Sequence, residues 1–313
     1  MRKNSRLDQF LDRTLIFSFT SVGYDLRKSN FEPIPRIDGR RVVVTGATSG
    51  LGLVASRQLS ELGASVVLVG RNEEKAERAR DEIRTTTGNA NISFELADLS
   101  LMTETAALTE RLAAGPPIDV LINNAGVLVG ERTETDEGIE LTLATNLLSH
   151  YLLTESLADH IVEGGRIINV SSGGMYSQRI RPDDLQFERG EYTGTAAYAR
   201  TKRGQVILTE LWADAFASRR ITVSAMHPGW ADTPGVSDSL PTFSKIIGPI
   251  LRTPEEGADT MVWLAATDEP VPSGKFWLDR TPRATHMTDR TREKPADRVA
   301  LVEALQELSR PPG

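Results

Sequence analysis

The sequence predicts an α/β domain in which one parallel β-sheet is wound with helices on both faces. Short β-branched runs alternate with longer helical patterns along most of the chain. Several of those runs, such as RVVVT at 41–45, are near-continuously apolar, as strands buried on both faces must be. No repeat of solenoid period and no internal linker interrupts the alternation, so it reads as one unit.

Strands are expected at 41–45, 65–69, 92–96, 120–123, 166–171, 221–226 and 274–277. Helices are expected between them at 51–62, 73–85, 101–113, 135–158, 196–217 and 255–265. Residues 1–38 precede this body as an extension, helical by pattern, and the body itself covers 39–280. Residues 281–313 form a polar tail ending in a short amphipathic helix on Val299, Val302, Leu305 and Leu308.

Composition removes several function classes. The 313 residues carry a net charge of −7, against a general nucleic-acid binder, which should be basic. Cysteine is absent, which excludes disulfides, thiolate zinc sites and cysteine nucleophiles. The histidines, 150, 160, 227 and 286, lack metal-ligand spacing, and no metal is expected. No stretch approaches the roughly 18–20 apolar residues of a spanning helix. Leu7, Phe10, Leu11, Leu15 and Phe19 lean to one side of an N-terminal helix. Docking on the protein body is the expected use of that face. Peripheral contact of residues 1–31 with a membrane is the alternative in an otherwise cytoplasmic protein.

The first strand runs into Thr45-Gly46-Ala47-Thr48-Ser49-Gly50-Leu51-Gly52, followed by a helix. Glycines there permit a tight turn and close approach of the backbone to a pyrophosphate, and the helix start supplies N–H groups. The spacing is G-x-x-x-G-x-G, and no Gly-Lys-Ser/Thr follows, which excludes a P-loop. Asp98-Leu99 ends the third strand, where a carboxylate can accept from an adenine amino group; capping the next helix is its competing role. Asn123-Asn124-Ala125-Gly126 ends the fourth strand, at the crevice where strand order reverses.

Tyr198 and Lys202 lie four residues apart on one helix face. A tyrosine with an ordinary pKa of about 10 becomes a usable acid/base when a nearby cation favours the phenolate. The preceding strand ends in Ser171-Ser172. Ser172, one step further out, is the expected hydrogen-bond partner of a substrate oxygen, and Ser171 is expected to satisfy a turn. Asn146, in the helix after Gly126, offers an amide that can hold a water against Lys202, with a purely structural bond as the rival.

In order and spacing, Thr45–Gly52, Asp98, Asn123–Gly126, Asn146, Ser172, Tyr198/Lys202 and Pro228-Gly229 resemble the short-chain dehydrogenase/reductase family over about residues 39–280. Ser171–Met175, Asp184–Gln186 and His227–Gly235 look like its retinol-dehydrogenase-like branch. The resemblance implies a single Rossmann-type domain with a seven-stranded parallel sheet and a catalytic set of Asn146, Ser172, Tyr198 and Lys202. It implies cofactor contacts at Gly46, Thr48, Ser49, Gly50, Leu51, Gly52, Arg71, Asn72, Asp98, Leu99, Asn124, Ala125, Gly126, Tyr198, Lys202, Pro228, Gly229, Trp230 and Thr233. It also implies a homo-oligomer. The 25 residues between Ser172 and Tyr198, about twice the spacing of many relatives, are expected to shape the substrate pocket.

The expected function is interconversion of an alcohol and a carbonyl, with a small-molecule substrate; a non-catalytic nucleotide sensor or scaffold is the alternative. The second strand ends in Gly70-Arg71-Asn72, without the acid that would bond both ribose hydroxyls of NAD, so NADP(H) is expected over NAD(H). Leu240, Phe243, Ile246, Ile247, Ile250 and Leu251 predict an apolar lid over 231–253 and hence a lipophilic substrate.

Overall fold

Val42 and Val44 of β1 (Arg41–Thr45) face one layer and Val43 the other, and all three are fully buried. A strand so placed must be covered on both sides. The computed structural model describes residues 18–231 and 250–310. Beside β1 lie β2 (Ser65–Gly70), β3 (Ile92–Leu96), β4 (Ile118–Asn123), β5 (Ile161–Val170), β6 (Thr222–Met226) and β7 (Lys275–Leu278). All seven are parallel.

The sheet order is β3-β2-β1-β4-β5-β6-β7-β8, so the chain reverses its winding between β1 and β4. A crevice opens above their carboxyl ends, the usual ligand position in such sheets. The eighth strand, β8 (Thr281–Arg283), was not among the seven expected; it pairs antiparallel with β7 through the two-residue turn Asp279-Arg280. Residues after 280 are therefore more than a polar tail, because the C-terminal helix Pro295–Leu308 also buries Leu301 and Leu305 in the main core.

One helical layer comprises α2 (Gly50–Glu61), α3 (Glu73–Thr87) and α7 (Pro254–Ala266), which bury Val54, Leu59, Ile83 and Met261 with Val42 and Val44. The opposite layer comprises α4 (Met102–Ala113), α5 (141–157) and α6 (Gly194–Ala215), joined by the C-terminal α8 (Pro295–Leu308). Helix α5 begins at Leu141, passes through a π turn at Ala144–Leu148 and continues as Ser149–Leu157.

The single helix expected over 135–158 starts late for a local reason. Gly138 adopts φ +72, and Glu134 bridges Glu140 across a tight turn. Glu140 then caps α5, accepting from the amides of Thr142 and Leu143.

The short helix α1 (Ser21–Lys28) lies on the body and buries Tyr24 and Arg27, with Phe19 just ahead of it. Of the segment 1–31, residues 18–31 thus take the docked course; residues 1–17 lie outside the described set. So do residues 232–249, which include most of the expected lid and Thr233. Among the described residues no helix is long and apolar enough to cross a membrane.

Candidate active site

The glycine-rich turn is closed by the fourth strand. Thr45 Oγ1 accepts from the amides of Asn124 (2.9 Å) and Ala125 (3.0 Å), and Asn124 Nδ2 donates to Thr45 O and Gly46 O. A methyl on Gly52 would lie 2.3 Å from Gly46 O, so the helix start and the turn meet backbone to backbone. Ser49 precedes α2 in extended conformation, and its side chain makes no cap bond, which leaves the first amides of α2 without a side-chain acceptor from that residue. This cradle fits a diphosphate. Asn124, expected at the cofactor, commits its side-chain Nδ2 to holding the turn.

At the far end of the crevice, β2 stops at Gly70. A methyl there would sit 2.6 Å from Thr48 Cγ2, leaving no room for an acidic side chain without movement of Thr48. Arg71 is largely exposed, with Nη1 3.5 Å from Asp98 Oδ2. Oδ1 of Asp98 accepts from the amide and hydroxyl of Ser100. Burial raises the Asp98 pKa, but the Ser100 bonds and Arg71 outweigh it and hold the carboxyl below its ordinary range. Asn72 caps α3, accepting from Lys75 N at 2.9 Å, so its carbonyl is engaged. The side chain of Leu99 is buried in the core.

The expected catalytic residues converge. Ser172 and Tyr198 lie on either side of Gly174: a methyl on it would be 3.5 Å from Ser172 Oγ and 4.0 Å from Tyr198 Cδ1, and Ser172 Oγ accepts from the Gly174 amide at 3.1 Å. Lys202 Nζ stands 5.3 Å from the centre of the Tyr198 ring and donates to Val170 O at 2.8 Å. Desolvation raises the phenol of Tyr198, and the Ser172 hydroxyl opposes it. Desolvation lowers the Lys202 ammonium to about 7. Gly126 lies beside both partners: a methyl on it would be 3.3 Å from Asn146 Oδ1 and 3.5 Å from Lys202 Nζ.

Asn146 is brought into the group and also makes structural bonds. Its amide pairs with the backbone of Val127, accepting at 2.7 Å and donating at 2.9 Å, while its own carbonyl accepts from Gln205 Nε2 at 2.6 Å. The amide thus fixes the strand-four turn. The π turn that carries Asn146 is an irregularity common at functional sites.

Pro228 and Gly229 follow β6. Gly229 has φ +76, and a methyl on it would meet Arg252 Nε at 2.3 Å. Trp230, expected near the cofactor, packs its ring against Phe19, centroids 5.8 Å apart. The long loop between Ser172 and Tyr198 is anchored to the body, with Arg132 donating to Gln186 O and Arg200 stacking 3.8 Å over Phe187.

Sequence reasoning missed three buried groups. Arg203 donates to Met175 O and Thr285 O and so ties down the turn after Ser172. Gln205 joins His150 Nδ1 at 2.8 Å, behind Lys202. Arg27, Arg252 and Asp279 form one buried ion cluster. Helical spacing from Tyr198 marks Gln205, seven residues on and on the same face, whereas nothing local marks Arg203 or the third group.

Comparison with known proteins adds independent findings. Residues 40–242 match the family model described as short chain dehydrogenase. The chain is 41% identical over 300 residues to dehydrogenase/reductase SDR family member 12 of Bos taurus, covering 93% of this chain and 94% of that protein. It is 33% identical over 255 residues to retinol dehydrogenase 13 of Homo sapiens, covering 77% and 76%. A short chain dehydrogenase of Escherichia coli, solved in complex with NADPH, superposes with a TM-score of 0.61 at 25% identity, covering 78% of this chain and 98% of that one.

Proposed function

Because this chain belongs to the short-chain dehydrogenase/reductase family of NAD(P)-dependent oxidoreductases of alcohol and carbonyl groups, we propose that it is an NADP(H)-dependent enzyme using Tyr198 as acid/base on a lipophilic substrate. The observation that carries this reading is the packing of Ser172 and Tyr198 on either side of Gly174, with buried Lys202 beside the phenol ring. A sensor would need only the nucleotide half of the crevice, so the convergence of these three side chains favours catalysis.

The nicotinamide cofactor supplies or takes up the hydride when bound. The glycine turn and the first amides of α2 would hold its diphosphate. Arg71 would offer a ribose 2′-phosphate a charge-assisted donor, and the closure of Gly70 against Thr48 disfavours the carboxylate that an NAD site uses. Ser172 orients the substrate oxygen, and Tyr198 gives or takes the proton at that oxygen. Lys202 favours the phenolate whenever its ammonium is charged. The likeness to a retinol dehydrogenase favours apolar substrates.

The test is NADPH and NADH oxidation across aldehydes, ketones, quinones, steroids and retinal. Faster turnover of long-chain or polycyclic carbonyls with NADPH is expected. A preference for small hydrophilic carbonyls would refute the substrate class, and a preference for NADH would refute the cofactor reading.

A further inference from the structure

The segment before the sheet is joined to the loop after β6 by a chain of buried contacts. Phe19 is 7% exposed and sets its ring edge-on against His227, centroids 4.4 Å apart. A methyl on Gly173 would lie 2.7 Å from Phe19 Cε2 and 2.9 Å from His227 Nε2, so ring, imidazole and the residue after Ser172 are in close packing. The Phe19 carbonyl accepts from Trp230 N at 2.8 Å, and Trp230 O accepts from Arg252 N at 2.8 Å.

Electrostatics make this arrangement obligatory. Asp279 pairs with Arg252 through both carboxylate oxygens, at 2.6 and 3.0 Å, and with Arg27 at 2.7 Å. All three side chains are buried, so two guanidinium charges face one carboxylate. The remaining Arg252 donors go to the carbonyls of Ser18 (2.9 Å), Phe19 (3.0 Å) and Thr20 (3.2 Å). Without those carbonyls Arg252 would hold buried, unmatched donors, a costly state.

The turn that aims Asp279 inward is itself strained. Asp279 and Arg280 both have positive φ, +52 and +55, where a two-residue hairpin turn favours glycine or asparagine. Such geometry persists where the surroundings over-determine it, and it clusters at functional sites.

We propose that residues 18–28 are a working part of the active site, with Phe19 as a positioning residue. It fixes the Ser172-Gly173 turn against the His227–Trp230 turn and thereby sets where the substrate oxygen meets Ser172 and Tyr198. The ion cluster of Arg27, Asp279 and Arg252 holds the wedge in place. A segment docked only for stability would need no aromatic ring between these two turns. The proposal rests on the Ser172/Tyr198 reading above.

The test uses the full chain with Phe19→Ala and Phe19→Leu. For Phe19→Ala, kcat/KM for the best carbonyl should fall about 10-fold or more, as expected for a misplaced substrate. NADPH affinity should stay within about twofold, since the phosphates are held elsewhere. Phe19→Leu should restore most of the loss. Hydrogen exchange at the Trp230 amide should accelerate in Phe19→Ala while the β1 and β4 amides keep their protection. An unchanged kcat/KM in Phe19→Ala overturns the proposal, as does a fall in rate matched by equal losses of NADPH binding and of folded protein. The tyrosine assignment fails separately: an active Tyr198→Phe beside an impaired Phe19→Ala leaves the wedge standing and removes the acid/base.

Discussion

The hydroxyl of Ser171 donates to the carbonyl of Lys202 at 2.9 Å, so the first serine of the pair is spent on joining β5 to α6. The second, Ser172, accepts from the Gly174 amide at 3.1 Å and lies beside Tyr198. Ser172→Ala and Tyr198→Phe should each lower kcat by about 10²–10⁴-fold, the usual span for a lost acid/base or its partner. Ser171→Ala should cost about 1 kcal/mol of stability, the net worth of one hydrogen bond, with kcat within a few-fold of wild type. Steady-state rates beside NADPH titrations check this, because cofactor affinity should hold in all three. A larger rate loss in Ser171→Ala would reverse the assignment.

Cofactor choice is predicted to turn on Arg71 and on the space at Gly70. Arg71→Ala should lower kcat/KM for NADPH by about 10–100-fold, the worth of one charge-assisted bond, and leave NADH nearly unchanged. Gly70→Asp alone should fit poorly, because its Cβ would sit 2.6 Å from Thr48 Cγ2. Serine lacks that methyl. The triple change Thr48→Ser, Gly70→Asp and Arg71→Ala should therefore favour NADH where Gly70→Asp/Arg71→Ala does not.

Lys202 predicts an unusual pH dependence of stability without cofactor. Burial lowers its pKa to about 7 in the folded chain, against about 10.4 when unfolded. Between those values the unfolded chain binds more protons, so the cost of burying the amine is full below pH 7 and fades as pH rises toward 10. Lys202→Met should be inactive yet melt higher than wild type at pH 7, with the gap closing by pH 10. Thermal melts across that range are the measurement; a gap that widens with pH would contradict it.

Asp279 titrates in the opposite sense. Burial raises its pKa, but Arg252 and Arg27 prevail and hold it below the ordinary carboxylate value. Its stabilisation is present above about pH 4 and is lost as pH falls through the lower folded value. Asp279→Asn should cost about 3–5 kcal/mol at neutral pH, since it leaves two buried guanidinium groups without their counter-ion. It should also flatten the acid limb of a stability–pH curve. Chemical denaturation at pH 7 and pH 3 reads both effects.

The sequence by itself determined the sheet, the crevice and the residues that meet there, because each is encoded within one strand, one turn or one helix face. Period-two and continuous apolar runs located the seven parallel strands. The glycines marked the tight turn, and a four-residue spacing put Tyr198 and Lys202 together. Only the tertiary structure decided what depends on distant partners. It assigned the Asn124 and Asn146 amides to backbone groups 78 or 79 and 19 residues away, and added β8 by pairing too short to leave a pattern. It also drew Arg27 and Arg252 onto Asp279 across separations of 252 and 27 residues. A charged residue reads as a solvated one in sequence, and its burial follows only when the fold brings its counter-charge and the carbonyls of Ser18–Thr20 to the same point.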